Sequence, residues 1–182
     1  MDKRGLVSTI IGKLHRRKAK QFSKLNFAPN YVRSTSFALL WGGAISAADK
    51  QEIQEFIKTL LSDGKQVTRL VYFDVKKKEE IPLVPEANTY YLGKWDFDRS
   101  RFPKSEAMKN VLRRDYDFLI SFDLYGDWHF VGMSAVGKAA CKIGYFQPQH
   151  LHVYDILLRQ NTDKPNLNQY LCSLKETLEK LG

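Results

Sequence analysis

The stretch YDFLISFDLYGDWHF, residues 116–130, brings Asp123, Asp127 and His129 within seven positions of one another. Two carboxylates and an imidazole are the residue types of general acid–base chemistry, in which one group takes a proton as another gives one. They stand near the carboxyl end of an apolar run, where ligand crevices open in doubly wound sheets. Helix capping explains the same spacing, because Asp127 directly precedes WHFVGMSAVG and an N-cap aspartate accepts backbone N–H groups. Upstream, WGGAIS sets Gly42 and Gly43 between an apolar run and a helical pattern. Bare N–H groups at such a turn attract phosphates. Neither GxGxxG nor GxxxxGK[ST] is present, however, and a tight turn accounts for the pair. Gly42, Gly43, Asp123 and Asp127 together define a candidate ligand crevice.

Other reactive types are sparse. His150 and His152 are spaced HxH in a loop, which would hold a metal only if two further ligands came from elsewhere, and no recognisable second pair exists. GxSxG is absent, and Met133-Ser134 falls inside a helical pattern. Cys141 and Cys172 show neither CxxC spacing nor a paired histidine motif, so both read as buried free thiols in a reducing cytoplasm. No catalytic residue, metal or cofactor is assigned on this basis.

Charge gives a different signal. Of 29 Lys and Arg and 20 Asp and Glu, nine basic residues lie in residues 1–35 against Asp2 alone, leaving 20 basic and 19 acidic groups for the other 147. The basicity belongs to the N-terminal segment, not the body. Lys13, Arg16, Arg17, Lys18, Lys20 and Lys24 are the candidate contacts for nucleic acid, since clustered cations neutralise phosphates regardless of sequence. Aromatic residues able to stack on bases are few there, only Phe22, Phe27 and Tyr31. The same helix would suit an anionic membrane surface, with Leu6, Ile10 and Leu14 dipping into headgroups. It would also serve solubility alone.

The elements that must position these groups follow from periodicity. Leu6, Val7, Ile10, Ile11 and Leu14 recur at helical spacing within residues 3–25, which predicts an amphipathic helix with a cationic flank. NFAPNYVRSTS reads as a linker. SFALLW (36–41), KQVTRLVYFDV (65–75), a short NTYYLGKW, DYDFLISFDL (115–124), CKIGYF (141–146) and VYDILLRQ (153–160) read as strands. Between them, 44–64 is a helix with Ile53, Phe56, Ile57, Leu60 and Leu61 inward and Gly64 as its stop. Residues 105–114 form one capped by Ser105, 128–140 another, and 166–182 an amphipathic last helix carrying Leu167, Tyr170, Leu171, Leu174, Leu178 and Leu181. KKKEEIPLVPE (76–86) is a charged loop. No run of about 20 apolar residues is present, so no membrane span or signal peptide is expected. Strands alternating with helices imply right-handed crossovers in a parallel sheet.

YDFLISFDL, HFVGMSAVGKAACKIGYF and YDILL, within residues 116–158, resemble a domain-of-unknown-function family of small Bacteroidetes proteins. That family has a basic N-terminal segment, a "fDlLIdLs" strand, an "alS-AkfKVG" helix-strand unit and a "DlMI" strand. Ser121-Phe122-Asp123 stands at its acidic strand end, and Ala139 to Gly144 at "AkfKVG". The arrangement is also similar to the acceptor half of heptosyltransferase-type glycosyltransferases, which implies a half-sandwich and not the activity. The resulting expectation is an α/β chain: a single three-layer Rossmann-like sandwich at 36–182, with a mostly parallel sheet of about five strands, behind a basic N-terminal helical arm and linker at 1–35. Its expected function is non-enzymatic binding of RNA or the ribosome. A nucleotide-using or glycosyltransferase-like enzyme and a peripheral membrane protein are the alternatives.

Overall fold

Apolar runs buried on both faces specify parallel strands, and the computed structural model shows six of them. It describes residues 3–22, 29–81, 86–162 and 164–182. In chain order the main elements are α1 (Lys3–Phe22), β1 (Ser36–Gly42), α2 (Ala47–Ser62), β2 (Gln66–Tyr72), β3 (Thr89–Leu92), α3 (Glu106–Leu112), β4 (Tyr116–Ser121), α4 (Trp128–Val136), β5 (Ala139–Tyr145), β6 (Ile156–Leu158) and α5 (Leu167–Lys180). The sheet runs β3-β2-β1-β4-β5-β6, and every pairing is parallel. Six strands replace the expected five or so because NTYYLGKW does pair, through Arg69↔Thr89 to Tyr72↔Leu92. VYDILLRQ shortens to Ile156–Leu158, and helix 128–140 ends at Val136 because Gly137 leaves the helical conformation and β5 begins at Ala139.

Two cores sandwich the sheet. Phe37, Leu39, Phe118 and Ile120 pack under α2 and α5, with Phe56, Leu60, Tyr170 and Leu174 from those helices. Leu40, Leu70 and Leu119 pack under α3 and α4, with Leu112, Phe130 and Met133 from those helices. Local signals set the helix ends. Ser46, Ser105, Asp127 and Asn166 cap α2, α3, α4 and α5, each accepting a backbone N–H from the first turn. Gly64 takes φ +75° after α2, the left-handed stop its position predicted. Leu61 is the exception on the α2 stripe; it lies at the stripe's edge and is 47% exposed.

The connection from β5 to β6 contributes a single 3-10 turn at Pro148–His150 instead of a crossover helix. α1 fills the vacant place, packing Ala19 with Val131 and Ala135 of α4 and with Val153 and Tyr154. Of the expected apolar stripe, the side chains of Leu6, Val7 and Ile10 lie outside the described residues. Gly12, His15 and Ala19 face the body, and Leu14 is 40% exposed. Small residues win here because they bring the helix axes close. The turn at 98–102 completes the contact: Asp98 accepts N–H bonds from Ser100 and Phe102, Arg101 takes φ +65°, and the Ser100 carbonyl accepts from His15 Nε2 at 2.7 Å. The linker is likewise tied down where described. Tyr31 N–H donates to the Leu181 carbonyl, and the buried Lys65 ammonium donates to the carbonyls of Tyr31, Val32 and Ser34.

A β-carbon on Gly132 would overlap the Arg101 carbonyl oxygen. Gly132→Ala must therefore push the 98–102 turn off α4, and a loss of about 1–3 kcal/mol is expected in urea melts. An unchanged midpoint would show that the approach is not tight.

Candidate functional site

Helical spacing divides α1 into two faces. With Gly12, His15 and Ala19 turned inward, Lys13 and Arg17 at i and i+4 lie on the opposite side, flanked by Arg16, Lys18 and Lys20. All five are exposed. The ion pairs among the described residues lie elsewhere on the molecule, so no described carboxylate competes for these cations. Lys24, the sixth predicted contact, falls outside the described residues, as does Phe27.

The crevice residues separate. Gly42, Asp123 and Asp127 line an opening of about 420 Å³ at the carboxyl ends of β1 and β4, the point where strand order reverses. Gly43 instead lines a groove of about 350 Å³ between α2 and β2–β3, among Ile53, Ile57, Phe73 and Tyr91. Its missing side chain admits the Phe73 ring, and its N–H donates to the Tyr72 carbonyl at 2.7 Å. Neither feature is left for a phosphate.

Chemically the crevice is acidic. Asp49, Asp74, Asp123 and Asp127 line it with Trp41, Tyr72 and Tyr125, and none of its described lining residues is Lys or Arg. Asp49 occupies the first turn of α2, where a phosphate would otherwise meet the helix dipole. Asp123 organises the turn itself: Oδ1 accepts from Tyr125 and Gly126 N–H, and Oδ2 from Asp127 N–H at 2.7 Å. Burial pushes its carboxyl up to about 6, against those hydrogen bonds. Asp127 is half-buried, and its carboxyl is held below the ordinary value, against the cost of desolvation, because Oδ1 accepts from both the ring Nδ1 of His129 at 2.7 Å and the His129 N–H at 2.8 Å. The chain of contacts continues from His129 Nε2 to the Tyr72 hydroxyl at 3.3 Å, to Asp74 at 3.2 Å, and to Lys94 at 2.7 Å. Burial first, then the carboxylates of Asp127 and Asp74, push the Tyr72 phenol well above its ordinary value. Sequence reasoning missed this relay because Tyr72 and His129 are 57 residues apart.

Three histidines meet beneath α1. His15 is fully buried between Phe102 and Trp128, at ring distances of 4.4 and 5.3 Å, and its Nδ1 has no partner. His150 stacks edge-on against Trp128 at 4.8 Å, and Nε2 of both His150 and His152 is buried without a partner. Despite the HxH spacing, no group of three His, Cys, Asp or Glu among the described residues is disposed to hold a metal. The thiols also divide. Cys141 is buried, with its thiol pushed up to about 12 by burial and then Asp155, whereas Cys172 is exposed and not buried as expected, because position 172 falls off the inward stripe of α5. No helix among the described residues is long and apolar enough to cross a membrane.

A family model described as a family of unknown function (DUF6913) matches residues 10–181. The chain belongs to this family. The match takes in most of α1 together with the whole sheet. No curated protein and no solved structure matches the chain.

Burial holds the imidazoles of His15 and His150 below the ordinary histidine value, His150 at about 4. The neutral form of His150 is favoured by burial in the fold, so its contribution is intact above pH 6.5 and is lost as pH falls from there toward 4, by up to about 1.4 kcal/mol per pH unit, and the contribution of His15 has the same sign. Asp123 has the opposite sign, since its raised carboxyl favours the fold as pH drops below about 6. The measurement must therefore be local. Amide exchange along residues 12–19 should accelerate between pH 6.5 and 4 beyond its intrinsic pH dependence, and His15→Gln, which keeps a donor for the Ser100 carbonyl, should blunt the change. Equal behaviour of the two proteins would refute the role of His15.

Proposed function

We propose that this protein binds RNA, free or within a ribosomal assembly, through the outward face of α1, with the α/β body as its scaffold in a reducing cytoplasm. The observation that carries the proposal is the facing of α1: one side is anchored on α4, and five cations without described acidic partners stand on the other. Anchoring lowers the conformational entropy lost on binding, compared with a free basic tail. The membrane-surface alternative rests on Leu6, Ile10 and Leu14; Leu14 is 40% exposed, and the side chains of Leu6 and Ile10 lie outside the described residues. The alternative of a nucleotide-using or glycosyltransferase-like enzyme has the strand order in its favour, because a crevice does open at the switch point. The four aspartates there argue against a phosphate-bearing ligand.

If the five side chains each neutralise one phosphate of single-stranded RNA, log K against log salt should fall with a slope of about −3.5, and raising salt fourfold should weaken binding about a hundredfold. The double substitution Arg16→Glu/Arg17→Glu should weaken binding about tenfold or more and flatten that slope while leaving the melting temperature in place, both side chains being exposed. Deleting α1 is a poorer test, because it uncovers Val131 and Ala135. Unchanged RNA affinity in the double variant, or sedimentation with anionic vesicles in place of RNA binding, would overturn the proposal.

A further inference from the structure

Lysine is almost never fully buried unless its ammonium is satisfied, and the two buried lysines among the described residues make a contrast. Lys65 donates to three carbonyls. Lys142, on β5, is 3% exposed and its Nζ has no hydrogen-bond or ion-pair partner among the described residues. Its strand neighbours Cys141 and Ile143 point into the core under α2 and α5, so Lys142 points to the opposite face, which α4 and α1 cover. There it lines a pocket of about 130 Å³ at the seam between α1 and the body, with Ala19 and Lys20 from α1, His152, Tyr154 and Asp155 from the β5–β6 connection, and the small or apolar walls Ala139, Leu151 and Val153.

The groups facing that pocket carry an unbalanced charge. Lys20 and Lys142 are cations, and Arg16 stands close enough to His152 to act on its imidazole. The single carboxylate, Asp155, is clamped to the Lys142 backbone: its Oδ2 accepts the Lys142 N–H at 2.8 Å, and its own N–H donates to the Lys142 carbonyl at 2.8 Å. The Tyr154 hydroxyl accepts from Ser134. His152 brings a buried Nε2 without a partner. Two ammonium point charges, a spare imidazole nitrogen and room for one tetrahedral group match the way lysines bind phosphate.

We infer that the seam between α1 and the body is a binding site for a phosphate group, held by Lys142 and Lys20 with His152 beside them. The group comes either from a free phosphate compound or from the backbone of a bound RNA. Burial holds the Lys142 ammonium down at about 8, with Asp155 opposing; an anion in the pocket raises it again. Binding is therefore strongest below that value and fades as the lysine loses its proton.

The test is a titration of the full-length protein with inorganic phosphate, followed by the Lys142 ε-CH₂ resonances in carbon–proton correlation spectra. Saturable shifts and an upward move of the Lys142 titration midpoint are expected, along with phosphate-dependent thermal stabilisation that Lys142→Met abolishes. Lys142→Met also removes an unpaired buried charge, so the variant should fold at least as stably. A short RNA added to both proteins distinguishes the sources. If phosphate competes with RNA and Lys142→Met weakens RNA binding, the site takes a backbone phosphate; if RNA binding is indifferent to both, it takes a free one. Lys142 resonances that respond to neither phosphate nor RNA would overturn the inference. Loss of RNA binding in Arg16→Glu/Arg17→Glu with the phosphate response retained would leave both proposals standing separately.

Discussion

The packing of α1 on α4 is the constraint from which the rest of the molecule's surface follows. It is a contact of small groups, Gly12 against Trp128 and Ala19 against Val131 and Ala135, closed by the His15 ring between Phe102 and Trp128. Once that face is committed, helical geometry turns Lys13 and Arg17 outward. The same contact brings Lys20 over the buried Lys142 and roofs the seam pocket. A helix that the sequence presents as an appendage therefore does the work of the missing β5–β6 crossover helix.

Charge is partitioned by this arrangement. Positive side chains gather on the outer face of α1, while the crevice at the carboxyl ends of β1 and β4 collects four aspartates. A polyanion is drawn to the first and repelled by the second. Within the crevice, Asp123 and Asp127 have evident structural tasks: one folds the 123–127 turn, and the other caps α4 and orients His129.

Much of this was legible in the sequence. Two-faced apolar runs such as SFALLW announced parallel strands, and Ser105 and Asp127 announced helix starts, because caps and burial are local or periodic effects. The docked face of α1 was not legible. Hydrophobicity favoured a stripe that includes Leu14, which is 40% exposed, whereas the partner surface on α4 selects for small residues, a property of two helices and not one. Gly42 and Gly43 looked equivalent, yet they face different cavities, since Phe73 claims the space over Gly43. Lys142 gave a faint signal as a lone charge in the apolar run CKIGYF, but only the placement of α1 over β5 sets it in a pocket with Lys20. The relay from Asp127 through His129 to Tyr72 depends on side chains from separate elements and leaves no trace in spacing.

The claim that α1 binds RNA while docked can be tested by locking it. Cysteines introduced by Ala19→Cys and Ala135→Cys, which sit in one cluster, can be cross-linked in a Cys172→Ser background. The oxidised and reduced proteins should then bind RNA with the same affinity and the same salt slope. Loss of RNA binding on oxidation, restored by reduction, would contradict the account by showing that the helix must leave the body to bind.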